Sequence, residues 1–183
     1  MASDLHIALP AELFALAESS HFEGQADIPL IEVGPDDLRF AAPIDYEVDI
    51  TNTGEAMLVE GVAKGVATIA CARCLDDVSY ELEGQIDGYF LLDEPDFDDE
   101  YDGSDFDVLP ADHILDLEPL ICAALIVEAP LLPLCREDCV GLCPTCGANL
   151  NEGPCGCGPD EALEEFERAA NPFAALASLK FEK

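Results

Sequence analysis

Eight of the nine cysteines in this 183-residue chain occur in closely spaced pairs. The pairs are C-x2-C at Cys71 and Cys74, C-x3-C at Cys135 and Cys139, C-x2-C at Cys143 and Cys146, and C-x-C at Cys155 and Cys157. A structural zinc ion takes four ligands in a tetrahedron and binds thiolates at about 2.3 Å. The four pairs therefore predict two four-thiolate sites and two zinc ions per chain. Since thiolates would leave no coordination position for water, we expect the metal to be structural and not catalytic.

The segment CPTCG, at residues 143–147, is the most specific part of this pattern. Its proline and glycine favour a tight turn in which Gly147 takes a positive φ, so that backbone N–H groups can point at the sulfur atoms. Cys71 and Cys74 lie between two predicted strands, where they would form a metal knuckle at the tip of a hairpin.

The cysteine pairs, if each stays intact, can share two ions in three ways. We favour one local site that closes a short loop, made of Cys143, Cys146, Cys155 and Cys157. The remaining pairs would then tie the predicted sheet to the C-terminal segment through Cys71, Cys74, Cys135 and Cys139. The other two partitions stay open on the sequence alone.

Other interpretations of the cysteines fit the sequence less well. Disulfides or simple burial do not account for spaced pairs in a glycine-rich segment of a cytosolic chain. An iron–sulfur cluster would favour a C-x2-C-x2-C run, which is absent from the sequence. A thioredoxin-like site needs a C-x-x-C at the start of a helix that follows a strand, and neither C-x-x-C pair is clearly so placed. Cys122, the ninth cysteine, lies on a predicted helix and is expected in the core.

The rest of the sequence has no pattern typical of catalysis. His6, His21 and His113 lie far from any nucleophile motif, and the chain has no P-loop, GxSxG or GxGxxG. Acidic pairs such as Asp98 and Asp99 are not arranged as a general acid and base. We therefore expect neither catalytic residues nor enzymatic activity, and no small-molecule substrate or organic cofactor.

The charge of the chain is strongly negative, because 40 Asp and Glu residues face seven Lys and Arg, for a formal charge of -33. Half of the residues are hydrophobic and the mean hydropathy is +0.16, so the chain should fold around a core. Such a charge excludes the basic surface that displaces counterions from phosphates, so we expect no binding to naked RNA or DNA. It attracts cationic partners instead. Adaptation to high salt is the alternative explanation.

The start of the chain and its apolar runs predict a soluble, cytoplasmic protein without membrane contact. Residues 1–18 include acids and lack the basic n-region of a signal peptide. The longest apolar stretch, residues 120–135, is interrupted by Glu128, Pro130 and Pro133. It is too short for a hydrocarbon core of about 30 Å.

Hydrophobic periodicity predicts an α+β fold in four segments. Residues 1–42 are predicted as a lead-in with a short helix at about residues 9–17. Residues 43–129 form a β-rich core, with an antiparallel sheet that could close into a barrel, an acidic loop at 93–107 and a packed helix at about 116–128. Residues 130–158 form a cysteine-rich, zinc-ribbon-like appendage, and residues 159–183 a C-terminal helix and tail.

The acidic loop at residues 93–107 holds nine acids in fifteen residues, together with Phe97, Tyr101 and Phe106. Like charges at this density resist packing, which favours a solvated loop. The functional alternative is that the loop attracts and binds a cationic partner through its acidic and aromatic side chains.

Four sequence blocks together resemble the YceD family over roughly residues 20 to 180. The blocks are CARCLDD, DLEPLICAALIVEAPLLPLC, CREDCVGLCPTCGANLN and NPFAALASLK, and GLCPTCGANLN is the most specific phrase. The resemblance implies a non-enzymatic factor for the accumulation of large-subunit ribosomal RNA, found in bacteria and plastids and often encoded beside a basic large-subunit ribosomal protein. It also implies that the metal stabilises the fold without being the activity, since some members lack part of the C-terminal cysteine set.

The resemblance and the charge together predict a factor in ribosome biogenesis. We expect it to bind a basic ribosomal protein or a pre-ribosomal particle. The alternative is a thiol- or metal-responsive regulator whose cysteines change state.

Overall fold

The computed structural model describes residues 5–34, 37–93 and 107–157. The chain divides into two compact units, the first made of residues 1–71 and 76–135 and the second of residues 72–75 and 136–183. The predicted C-terminal helix and tail, residues 159–183, lie outside the described residues, as does the predicted acidic loop except for its end residues Asp93 and Asp107.

The first unit is built on a mostly antiparallel sheet of seven strands. The strands are β2 (Ser19–Ala26), β3 (Leu30–Ile31), β4 (Leu38–Phe40), β5 (Ile44–Asn52), β6 (Ala56–Ala70), β7 (Asp77–Leu91) and β8 (Asp107–Val108), of which only β8 is parallel to its neighbour, β7. A separate two-stranded sheet consists of β1 (His6–Ala8) and β9 (Ile114–Asp116). The antiparallel part of the α+β prediction is thus confirmed.

Strict alternation of apolar and polar residues forms the central strands. In β5 the buried apolar side chains are Ile44, Val48 and Ile50, while the acids between them are exposed. In β7 the buried positions include Leu82 and Ile86. A period of two places alternate side chains on opposite faces of a sheet, so one face is a core and the other meets solvent.

β6 and β7 form a long hairpin that pairs without interruption from Ala56 opposite Leu91 to Ala70 opposite Asp77. The turn at its tip carries the first cysteine pair, and the N–H of Cys71 donates to the carbonyl of Asp76 at 2.8 Å. The hairpin therefore places this pair at a strand end, as the sequence predicted.

The sheet is open, so the prediction that it could close into a barrel is wrong. Among the described strands, β2 pairs only with β5, and β8 pairs only with β7, so these two edges do not meet. Two strands pair with the same edge of the long strand β6. β5 pairs with its first part, and β4 pairs with it at Ala67 and Thr68. The inner face is covered by a helix and by N-terminal leucines, which removes the need for closure.

The helix α1 (Glu118–Glu128) packs against β7. Gly84 allows this contact, because a Cβ there would lie 2.3 Å from the carbonyl oxygen of Ala124. The buried residues on and just before the helix are Leu117, Ile121, Ala124 and Leu125, whereas Val127 is 80% exposed. Oδ1 of Asp116, just before the helix, accepts from the N–H of Glu118 at 3.0 Å.

The N-terminal segment contributes β1 to β4 to the first unit and is more ordered than the lead-in expected there. The short helix expected at residues 9–17 is a single 3-10 turn, Ala11–Phe14. Leu5, Leu9 and Leu13 are buried, and the buried Asn52 donates its amide N–H to the carbonyl of Leu13 at 3.1 Å. Short-range periodicity could not predict these contacts, because they join residues about forty positions apart.

The second unit, in residues 72–75 and 136–157, consists of turns and one isolated antiparallel bridge between Leu142 and Asn149. In the described part of the chain, no helix is long and apolar enough to cross a lipid bilayer.

Candidate metal centre

The eight paired cysteines assemble into two groups of four, and within each group the sulfur atoms lie within 4.8 Å of one another. The first group comprises Cys71, Cys74, Cys135 and Cys139, and the second comprises Cys143, Cys146, Cys155 and Cys157. These are the two groups that the sequence analysis favoured over the other partitions. None of the nine cysteines is in a disulfide.

The donor set of each group fits a zinc ion. Tetrahedral coordination with zinc–sulfur bonds of about 2.3 Å requires sulfur atoms about 3.8 Å apart, which agrees with the observed clustering. Both groups could therefore hold a thiophilic metal ion. Cys71, Cys74, Cys139 and Cys143 are buried, whereas Cys135 and Cys146 are exposed.

The local backbone of the second group explains how the CPTCG segment positions its sulfurs. Gly147 has φ +74°, as predicted, and its N–H donates to the carbonyl of Cys143 at 2.8 Å. The N–H of Cys143 in turn donates to the carbonyl of Ala148 at 2.8 Å. This tight turn lets the backbone N–H groups of Thr145 and Cys146 hydrogen-bond the sulfur of Cys143.

The electrostatics of the second group favour a bound cation. The N–H groups of Cys146 and Thr145 lower the pKa of Cys143 to about 6. Hydrogen bonding to the Cys146 side chain, burial and neighbouring sulfur charge raise the pKa of Cys157 to about 12. For Cys155, the N–H of Cys157 acts to lower the pKa, but bonding to Cys143 and burial outweigh it, so the pKa is raised. A bound metal ion would offset the charge of four thiolates brought this close together.

Arg73, between the cysteines of the first pair, fastens the C-x3-C segment. Its Nη1 donates to the carbonyl of Cys139 at 2.8 Å, and its own carbonyl accepts from the N–H of Leu142 at 3.1 Å. Gly141 has φ +84°, and a Cβ there would lie 2.9 Å from the carbonyl oxygen of Arg73. This role of Arg73 was not predicted from the sequence, where its position inside C-A-R-C was the available signal.

Asn151 is a second polar contact of the cysteines that the sequence analysis missed. Its Nδ2 donates to the sulfur of Cys139 at 3.3 Å. The signal was its place in the GANLN segment after the CPTC pair, but the spacing does not predict which sulfur it meets.

Cys122, His113 and His21 belong to neither cysteine group. Cys122 is half-buried against the core, and its pKa is raised by burial and then by Glu118 and Asp116. The ring of His113 lies 4.4 Å from that of Phe14, and Nδ1 of His21 is 2.9 Å from Oδ1 of Asp49. His113 thus contacts an aromatic ring, and His21 contacts a carboxylate.

Comparison with known proteins supplies the family. A family model described as large ribosomal RNA subunit accumulation protein YceD matches residues 59–180. An uncharacterized protein of Mycobacterium tuberculosis strain H37Rv is 28% identical to the chain, over 79% of this chain and 67% of the relative. No solved structure matches the chain.

Two plant relatives carry a functional name, the chloroplastic large ribosomal RNA subunit accumulation protein YCED homolog 1. The protein of Arabidopsis thaliana is 26% identical over 65% of this chain and 45% of its own length. That of Zea mays is 29% identical over 64% of this chain and 49% of its own length. The match therefore spans about half of each plant relative. Because the family model covers more than half of residues 1–183, the chain belongs to the YceD family of large ribosomal RNA subunit accumulation proteins.

Proposed function

We propose that this protein is a non-enzymatic cytoplasmic factor that supports the accumulation of large-subunit ribosomal RNA. It acts by binding a basic ribosomal protein or a pre-ribosomal particle, and two structural zinc ions stabilise its cysteine groups. The ribosomal role is supported by the family description and by the names of the plant relatives.

The solvent-exposed face of the sheet is the observation that supports a basic partner. The strand register places exposed side chains of β2, β5, β6 and β7 in rows across this face. One row consists of His21, Asp49, Glu60 and Asp87, and the next of Glu23, Glu47, Val62 and Gln85. The acids of both rows are exposed, so the face is a broad negative surface.

Carboxylates that lie opposite each other on neighbouring strands repel, and this repulsion is not offset when no cationic partner is bound to the surface. Glu60 lies between Asp49 and Asp87 on the neighbouring strands, and Glu23 lies opposite Glu47. Like charges directly opposite each other destabilise a sheet. A cationic side chain between them would relieve the repulsion, which favours a basic partner.

The cations on the described part of this face do not reverse its sign. Nζ of Lys64 lies 3.1 Å from Oε1 of Glu83, and Arg39 is hydrogen-bonded to Asp77. Both are already matched by an acid. The surface therefore repels a phosphate backbone and attracts a basic protein.

A shallow cavity on the same face suits a basic side chain. It has a volume of about 440 Å³, and its lining includes Glu23, Asp45 and Glu47 together with Lys64, whose Nζ is paired with Glu83. The three acids outnumber this one lysine, and carboxylates bind an arginine or lysine side chain through charge-assisted hydrogen bonds. The cavity is thus a candidate site for such a contact.

Depletion of the protein in the organism that encodes it tests the ribosomal role. We expect the ratio of large-subunit to small-subunit ribosomal RNA to fall, and the wild-type gene to restore it. A ratio that stays at the wild-type level after depletion would contradict the proposed function.

The exposure of the residues Cys135 and Cys146 supports a second candidate, a thiol- or metal-responsive regulator. Exposed thiolates are open to oxidants. The two functions differ in whether the metal leaves under mild oxidation.

A further inference from the structure

We infer that Asn151 couples the two cysteine groups, so that zinc binding by one group favours zinc binding by the other. The inference rests on the metal binding proposed above. It assigns to this amide a positioning role that spacing between cysteines does not indicate.

The contact that carries the inference joins Asn151 to the first group. Nδ2 of Asn151 donates to Sγ of Cys139 at 3.3 Å, within the range of an N–H···S hydrogen bond. Cys139 is buried, and Asn151 is half-buried, so water competes weakly for the contact. A donor aimed at a sulfur ligand offsets part of its negative charge.

The orientation of the Asn151 amide is fixed by its other partners. Oδ1 accepts from Nη2 of Arg136 at 2.7 Å and from the N–H of Val140 at 2.9 Å. Both partners can only donate, so the oxygen must face them. Nδ2 is thereby directed at the sulfur of Cys139 and at Oδ1 of Asn149, 2.8 Å away.

The position of Asn151 in the chain links it to the second group. Asn151 lies between Cys146 and Cys155, in the segment that closes when those two sulfurs share an ion. Within this segment, the N–H of Asn151 donates to Oδ1 of Asn149 at 3.0 Å, and the N–H of Leu150 donates to the carbonyl of Gly141 at 2.9 Å. A metal ion in the second group would close this segment and so further restrict where Asn151 can lie relative to Cys139.

Thermodynamic reciprocity makes the coupling symmetric. If an ion in the second group strengthens the first group through Asn151, an ion in the first group strengthens the second by the same factor. Loss of an outer-shell hydrogen bond to a metal ligand typically lowers metal affinity by about 10- to 100-fold. We expect a change of this size at the first group when the amide N–H is lost.

The most selective variant is Asn151→Asp in the full chain. The carboxylate still accepts from Arg136 and Val140, but it has no N–H for the sulfur of Cys139. Glu152→Gln is the matched control, since Glu152 is an exposed neighbour in the same segment. Zinc affinity is measured by competition with a chelator, and the sulfur-to-metal charge-transfer band is recorded after replacement of zinc by cobalt(II).

We expect one of the two ions in Asn151→Asp to bind at least about tenfold more weakly, while Glu152→Gln matches the wild type. The cobalt band should move to longer wavelength, because a thiolate without a hydrogen bond gives up charge more readily. Zinc affinity within about twofold of the wild type, with an unchanged band, would overturn the inference.

A chain whose second cysteine group cannot bind zinc separates the coupling between the two groups from the local effect of the hydrogen bond between Asn151 and Cys139. In full-length Cys155→Ser/Cys157→Ser, the second group cannot fill, so the first group should already bind zinc weakly and Asn151→Asp should add less than about twofold. A full tenfold effect of Asn151→Asp in this background would mean that Asn151 supports Cys139 without coupling, and would also overturn the inference. A wild-type chain that takes up no zinc would instead contradict the proposed metal binding itself.

Discussion

The hydroxyl of Tyr80 donates to the carbonyl of Leu134 at 3.0 Å and accepts from the N–H of the same residue at 2.9 Å. One side chain on β7 thus holds both polar groups of the residue that precedes Cys135. Two hydrogen bonds to one backbone unit fix its position and orientation. Tyr80 therefore helps to place Cys135 for the first cysteine group.

Tyr80→Phe should loosen this placement. We expect the free energy of unfolding to fall by about 1 to 2 kcal/mol, since each net hydrogen bond contributes about 1 kcal/mol. Chelator competition should also show that one of the two zinc ions binds more weakly than in the wild type. Tyr89→Phe, which changes a 47% exposed tyrosine on the same strand, is the control. Equal zinc affinity in the two variants would argue against the role of Tyr80.

The zinc content of the purified protein should be about two ions per chain. Cys143→Ser or Cys146→Ser should lower it to about one and speed protease cleavage of residues 136–157, because metal binding contributes to local folding. The sheet of the first unit should keep its circular dichroism signal. Elemental analysis that finds no zinc, or finds iron with visible absorption, would contradict this prediction.

The pH dependence of zinc binding should reflect the thiols of the second group. In the variant Cys71→Ser/Cys74→Ser, only the second group keeps all four of its cysteines. Zinc that binds there at pH 7 must displace the protons of Cys155 and Cys157, because the pKa of each is raised. Affinity therefore falls as pH falls. Below pH 6 the slope should steepen, since Cys143, with a pKa of about 6, also takes up a proton. Chelator competition from pH 5 to 8 would contradict this if the slope stays constant through about pH 6.

Mild oxidation separates a structural metal from a regulatory one. If zinc is structural, we expect the protein to keep both ions after brief treatment with dilute hydrogen peroxide, because coordination protects the thiolates. A zinc-sensitive dye measures release. Rapid release that a reductant reverses would favour the regulator.

The cysteine groups could be predicted from the sequence because local spacing largely determines which sulfurs can meet. Cys143 and Cys146 share one turn, and Cys155 and Cys157 are separated by a single residue, so a local site needs only a short loop. The first group followed by elimination once the hairpin between β6 and β7 was predicted. Alternation of apolar and polar residues likewise marks β5 and β7 in the sequence, and one face of each strand is buried.

The contacts that support the cysteines could not be predicted in this way. Tyr80 and Leu134 are 54 positions apart, and Arg73 and Cys139 are 66 apart, so no local period records them. β2 was also missed, because a strand such as this one, with glutamate, glutamine and glycine in its sequence, depends on its pairing with β5. The open edge of the sheet depends on pairings of the same long-range kind.

The acidic rows should control partner binding through association. Asp49→Asn/Glu60→Gln/Asp87→Asn removes three charges from one row, while Glu12→Gln/Glu32→Gln/Glu55→Gln removes as many from exposed sites outside the sheet strands. We expect the row variant to associate more slowly with a basic ribosomal protein than the control variant does, because surface charge steers encounter. Equal association rates, measured by stopped flow at low salt, would exclude the row as the docking surface.

The most direct test of the proposed mode of action measures binding to the two components of a ribosomal particle separately. Purified basic large-subunit ribosomal proteins and protein-free large-subunit RNA are each titrated with the wild-type chain at about 0.15 M salt, where charges are screened beyond about 8 Å. The account predicts binding to at least one basic protein, weakened by added salt and by the row substitutions, and no binding to the RNA. Binding to bare RNA, competed by unlabelled RNA and insensitive to metal removal, without binding to any basic protein, would contradict it.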